Sequence, residues 1–116
     1  MNWFDTDIKK DALYKIVIPE DYNATTTDNC IKLSERDKTS GFMHVSYGHQ
    51  AKRTIEKFFG SEPIVLLLEL DKDILSQRGI TVKDEQNKPG GDLFPHVYGT
   101  NKIPLAAVKN VVTYKK

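Results

Sequence analysis

Two short segments of this 116-residue chain gather the side chains best suited to chemistry. In "GGDLFPHVYG", residues 90–99, a double glycine leads through Asp92 to His96 and Tyr98. In "GFMHVS", residues 41–46, His44 stands two positions before Ser46. Alternate side chains of an extended segment share a face. His96 and Tyr98 therefore form one pair, and Phe42, His44 and Ser46 form one row. Imidazoles exchange protons near neutral pH, and hydroxyls both donate and accept hydrogen bonds. The carboxylates within reach along the chain are Asp84, Glu85 and Asp92. Beside a breaking glycosidic or nicotinamide bond, one of them would stabilise an oxocarbenium-like transition state. Residue types leave open which of the three does so, and surface solvation is the default for Asp84 and Glu85.

Other chemistries find less support. Ser46, His96 and Asp92 make a nucleophilic triad on paper, but no G-x-S-x-G elbow presents the serine. His44, His49 and His96 lack an H-x-x-x-H pair and a firm carboxylate partner, so no metal is expected. Ser46, Tyr47 and Gly48 stand where a strand turns into a helix, and free N–H groups at such an entrance attract phosphate or another anion. The competing structural reading makes Leu93, Phe94 and Tyr98 core residues and His96 a brace for a loop. Gly90 and Gly91 loosen the backbone, and Pro95 holds Phe94 extended, which aims the residues that follow.

The elements that must position these groups follow from periodicity. "LYKIVI" reads as a strand stopped by Pro19, "DYNATTTDN" as a polar loop, and "CIKLSERDKTSG" as a short amphipathic piece around Ile31 and Leu33 with a solvated second half. "FMHVS" is a short strand. Ala51, Ile55, Phe58 and Phe59 recur at helical spacing, giving the main helix over residues 50–59. "PIVLLLELD" is a strand buried on both faces and central to a sheet. "DKDILSQRG" is one helical turn capped by Asp71 or Asp73 and closed by Gly79. "ITVKDEQNKPGG" is a strand and polar loop, "FPHVYG" an extended piece, and "AAVKNVVTYKK" a final strand. The fold class is α+β, with a small split or barrel-like mixed β-sheet and one main helix.

Length and composition fit one domain over residues 1–116, with 39% hydrophobic and 28% charged residues. A net charge of +1 gives no strong nucleic-acid signal. The single cysteine, Cys30, reads as a buried inert thiol in a reducing compartment. "MNWFDTDIKKD" has no apolar core of a secretory leader, and "IVLLLEL" is far short of the ~20 residues of a membrane span. The expectation is a cytoplasmic protein with no membrane partner.

"GFMHVS", "AKRTIEKFFG", "PIVLLLELD", "GGDLFPHVYG" and "IPLAAV", in this order from about residue 13 to 112, resemble the bacterial family called domain of unknown function 952. That family is similar to the ADP-ribosyltransferase and tRNA 2′-phosphotransferase folds, which hold NAD or an ADP-ribosylated RNA in a cleft between small sheets. The resemblance implies NAD as ligand or substrate, with His44 positioning a ribose hydroxyl, Ser46 bonding nearby, and Tyr98 or Tyr47 stacking on the nicotinamide. His96 and Asp92 would complete the ligand-binding set, and His44 and Glu85 would be the catalytic residues of an ADP-ribosyl transfer or NAD cleavage, Glu85 as its carboxylate. Pro89 replaces an arginine usual in that family, and Arg36, Arg53 and Arg78 all lie outside the two motifs. The alternative is a non-catalytic module that binds a nucleotide, peptide or protein.

Overall fold

The computed structural model describes residues 8–86, 88–100 and 102–115. The amino-terminal stretch read for a leader lies, through residue 7, outside them. Strand β1 (Leu13–Val17) is followed by α1 (Pro19–Asp28), β2 (Cys30–Lys32), α2 (Glu35–Ser40), β3 (Met43–His44), β4 (Ser46–Tyr47) and α3 (Gly48–Phe58). The chain continues through β5 (Ile64–Leu70), α4 (Lys72–Gln77), β6 (Thr81–Gln86), β7 (Leu93–Tyr98), β8 (Lys102–Pro104) and, after a 3₁₀ turn, β9 (Val108–Lys115). No described helix is long and apolar enough to cross a membrane.

The class is α+β, but the strands do not form one mixed, barrel-like sheet. They make three open sheets, ordered β4-β1-β5-β9, β2-β8 and β3-β7-β6, and every pairing is antiparallel. The run "IVLLLEL" does become an interior strand, β5, between β1 and β9. Both faces of the four-stranded sheet are covered, which is why β1 and β5 are apolar almost throughout. Tyr14 and Ile16 face α3, whose Ala51 and Ile55 complete one core with Val65 and Leu67. Leu13 and Val17 face the other side, where Met43, Leu68, Leu75, Val97 and Ile103 form the larger core. Lys15 lies between them in sequence and is 5% exposed.

The described residues form four α-helices where one main helix and one helical turn, the latter found as α4 capped by Asp71, were expected. The segment read as a polar loop is α1, with Pro19 in its first turn, the acids Glu20 and Asp21 at its N-terminal end, and Asn29 closing it at φ 58°. Thr25, Thr26 and Thr27 donate to carbonyls three or four residues back, so their hydroxyls bond within the helix rather than unwinding it. The second half of "CIKLSERDKTSG" is likewise a helix, α2, started by a reciprocal cap in which Ser34 Oγ accepts from the Asp37 N–H and Asp37 Oδ2 from the Ser34 N–H.

Candidate functional site

The three-stranded sheet has two different faces. Met43 and Val97, paired across β3 and β7, point into the larger core. His44 and His96, paired next to them, point the other way, with ring centroids 5.9 Å apart in an edge-on arrangement. Phe42 joins them, its ring stacked on His96 at 3.9 Å and tilted against His44 at 4.6 Å. Pro95, in the same strand, sits beyond the end of β3, where a residue without an N–H costs little.

Each imidazole has its Nδ1 on a carboxylate. His44 Nδ1 lies 2.7 Å from Asp37 Oδ1, and the His44 N–H donates to the same oxygen at 2.9 Å. Asp37 is wholly buried, and its Oδ2 takes the Lys15 ammonium at 2.8 Å as well as the Ser34 N–H. Lys15 Nζ also donates to the His44 carbonyl at 2.9 Å, so lysine, aspartate and histidine lock one another. Burial opposes ionisation of Asp37, but hydrogen bonds from His44 and the charge of Lys15 outweigh it and hold the carboxyl well below the usual carboxylate range. Burial likewise lowers the pKa of His44, against the pull of Asp37. At neutral pH His44 is therefore the neutral tautomer that donates from Nδ1 to Asp37. Its Nε2 keeps a lone pair and makes no hydrogen bond among the described residues.

His96 Nδ1 stands 3.0 Å from Glu85 Oε1, an oxygen that also accepts from the Tyr98 hydroxyl. The bond from Tyr98, then that from His96, lowers the Glu85 pKa. The expected sharing of a face by His96 and Tyr98 is thus realised, with Glu85 reaching across from β6.

An open cavity of about 1240 Å³ runs past these groups, bounded by β1, α1, β2, α2, α3, the 88–92 loop and β7. Typical small-molecule sites occupy ~300–1,000 Å³. His44, Ser46, Asp92 and His96 line it, as do Lys15, Asp37 and Arg36. Tyr47, Glu85 and Tyr98 are not in its wall. Tyr47 donates to Asp84 at 2.7 Å and stacks on His49, and its burial and that bond push its pKa up to about 12. Asp84 is thereby engaged by a phenol rather than merely solvated. Ser46 is 3% exposed and donates to Thr54, so it is satisfied internally. Asp92 pairs with Arg53 at 3.2 Å on the rim. These partners separate Ser46, His96 and Asp92, which form no triad.

The phosphate expectation at the entrance of α3 is corrected. The N–H groups of Gly48 and His49 donate to the carbonyls of Ala12 and Lys10, and the Tyr47 N–H meets Gln50 Oε1. A Cβ on Gly48 would stand 1.9 Å from the Lys9 carbonyl oxygen, so backbone already fills the place of an anion. Gln50, from the first turn, donates to the Leu93 carbonyl at 2.6 Å and ties the helix to the start of β7.

Sequence reasoning missed Asp37 and Lys15 as partners of the histidines, and it put Phe42 on the face of His44 but not against His96. Two signals were available. "SERD" is a capping box, S-x-x-D, which marks a helix start rather than a loop. A lysine in the middle of "LYKIV" must find a buried acid or leave the strand.

These features define a class, an α+β protein of open antiparallel sheets with a histidine-lined cavity. The chain belongs to the family described as "Protein of unknown function (DUF952)", which it matches over residues 16–111. The X-ray structure of protein CC0527 from Caulobacter crescentus is similar to it at TM-score 0.74 and 27% identity, over 88% of this chain and 84% of that one. The solution NMR structure of the same protein is similar at TM-score 0.70 and 28% identity, over 87% and 82%. No functionally curated protein matches the chain.

Proposed function

We propose that the cavity binds a ribose-bearing nucleotide of the NAD type, with the Nε2 of His44 accepting a hydrogen bond from a ribose hydroxyl. The observation that carries this reading is the buried Lys15–Asp37–His44 chain, which fixes the tautomer and orientation of an imidazole whose second nitrogen is left for a ligand. Such an arrangement is costly to bury and is worth its cost where a ring must be held for recognition. Phe42, stacked on His96, packs against the His44 ring, and the cavity volume suits a dinucleotide.

The same geometry favours binding over turnover. Glu85 is the acid that the family resemblance offers for cleavage of the nicotinamide bond. It is outside the cavity wall and serves as the orienting partner of His96 and Tyr98. Its role here is positioning, which supports a nucleotide-binding module.

Calorimetric titration of the protein with NAD tests the proposal, with nicotinamide release followed in parallel. Binding that falls at least about tenfold in His44→Ala, the loss of one good hydrogen bond, with no nicotinamide released, is expected. Binding unchanged in that variant, or no heat with the parent protein, overturns the reading. A fall in melting temperature alone would make His44 structural.

A further inference from the structure

Resting on the nucleotide reading above, we propose that Arg36, stacked on Phe58, is a phosphate subsite of the cavity. The chain has three arginines, and two of them, Arg36 and Arg53, line the cavity. Neither belongs to the two histidine-bearing motifs; α2 and α3 bring them there. Arg53 is committed to Asp92. Arg36 makes no ion pair and no hydrogen bond among the described residues, although it is only half-exposed. Its guanidinium rests 3.7 Å from the centroid of the Phe58 ring.

Stacking fixes the plane of the guanidinium and leaves its edges, which carry the five N–H donors, without partners. Lys57 Nζ comes within 5.2 Å of the same ring centroid and also lacks an ion pair among the described residues. The Phe58 ring, 43% exposed, thus has two cations against it, a local excess of positive charge that favours an anion. The planar fork of a guanidinium suits the oxygens of a phosphate or pyrophosphate. The placement also fits a nucleotide. Arg36 immediately precedes Asp37, the residue that holds His44, so one turn of α2 serves both a phosphate and a ribose hydroxyl in one cavity.

The test compares NAD with nicotinamide riboside, which has the ribose but no phosphate, by calorimetry on the full chain. Arg36→Gln is expected to weaken NAD about ten- to hundredfold, the loss of charge-assisted hydrogen bonds, while nicotinamide riboside binds as before. Arg36→Lys, a charge without a fork, should fall between. Equal weakening of both ligands, or none for NAD, overturns the subsite. If neither ligand binds the parent protein, the nucleotide reading has failed, and inorganic pyrophosphate decides the subsite alone. Pyrophosphate bound by the parent and lost in Arg36→Gln supports it, and pyrophosphate bound equally by both, or by neither, refutes it.

Discussion

Asp37→Asn removes one charge and almost no volume, which isolates the electrostatics of the candidate site. The carboxylate receives four donors: Lys15 Nζ, the backbone N–H groups of Ser34 and His44, and His44 Nδ1. An asparagine offers one acceptor oxygen and turns its NH₂ toward donors on the other side. Worse, the Lys15 ammonium, with 6% of its side chain exposed, loses its counter-charge. Breaking a buried pair by removing one partner costs about 3–5 kcal/mol, a large part of the ~5–15 kcal/mol that holds a domain together. For a chain of this length that is a fall of roughly 10–20 °C in melting temperature. Urea unfolding at pH 7, followed by far-ultraviolet circular dichroism, measures it for Asp37→Asn, Lys15→Met and the double variant. The double variant leaves no orphaned ammonium, so its loss should fall short of the sum by about 1–3 kcal/mol. A loss below ~1 kcal/mol for Asp37→Asn, or strict additivity, would refute the reasoning, because exposed pairs behave that way.

Gly48→Ala should cost at least about 1–3 kcal/mol, since the new methyl would meet the Lys9 carbonyl at 1.9 Å and must lift residues 8–12 off the helix entrance; an unchanged thermal melt would contradict this. Acid should destabilise the fold in two stages. His44 has a folded pKa below its unfolded value of ~6.5, so the unfolded state binds the extra proton first and stability starts to fall as pH drops through that value. Asp37 also titrates lower when folded, and its contribution, complete well above the unfolded value of ~3.9, is lost progressively below about pH 5. Denaturation midpoints measured from pH 8 to pH 3 should decline throughout, and Asp37→Asn should flatten the lower stage; a midpoint that rises on acidification contradicts both assignments.

What could be read from the sequence divides by the kind of force involved. Apolar periodicity exposed α3 and β5, and strand alternation put His96 beside Tyr98, because burial writes itself into residue type every second or every third to fourth position. Helices α1 and α2 left no such mark. Thr25 is the buried residue of α1 and Asp37 that of α2, so neither carries an apolar stripe. Helix α2 is started by its capping box, and α1, which has no side-chain cap, docks Tyr22 on the larger core. The candidate site was half visible for the same reason. His44, His96 and Glu85 lie in strands whose register can be inferred, whereas Asp37 and Arg36 reach the cavity only through α2. Asp84 and Glu85, neighbours on β6, show the limit at one residue: pleating sends the first to Tyr47 and the second to His96, a division that charge alone does not encode.

Nitrogen-15 spectra of the imidazoles, recorded as NAD is added at pH 7, test the central claim most directly. The account predicts that His44 carries its proton on Nδ1, held by Asp37, and that its unprotonated Nε2 signal shifts toward that of a hydrogen-bonded nitrogen as ligand saturates. A proton found on Nε2, or an Nε2 signal that stays put while NAD demonstrably binds, would contradict it.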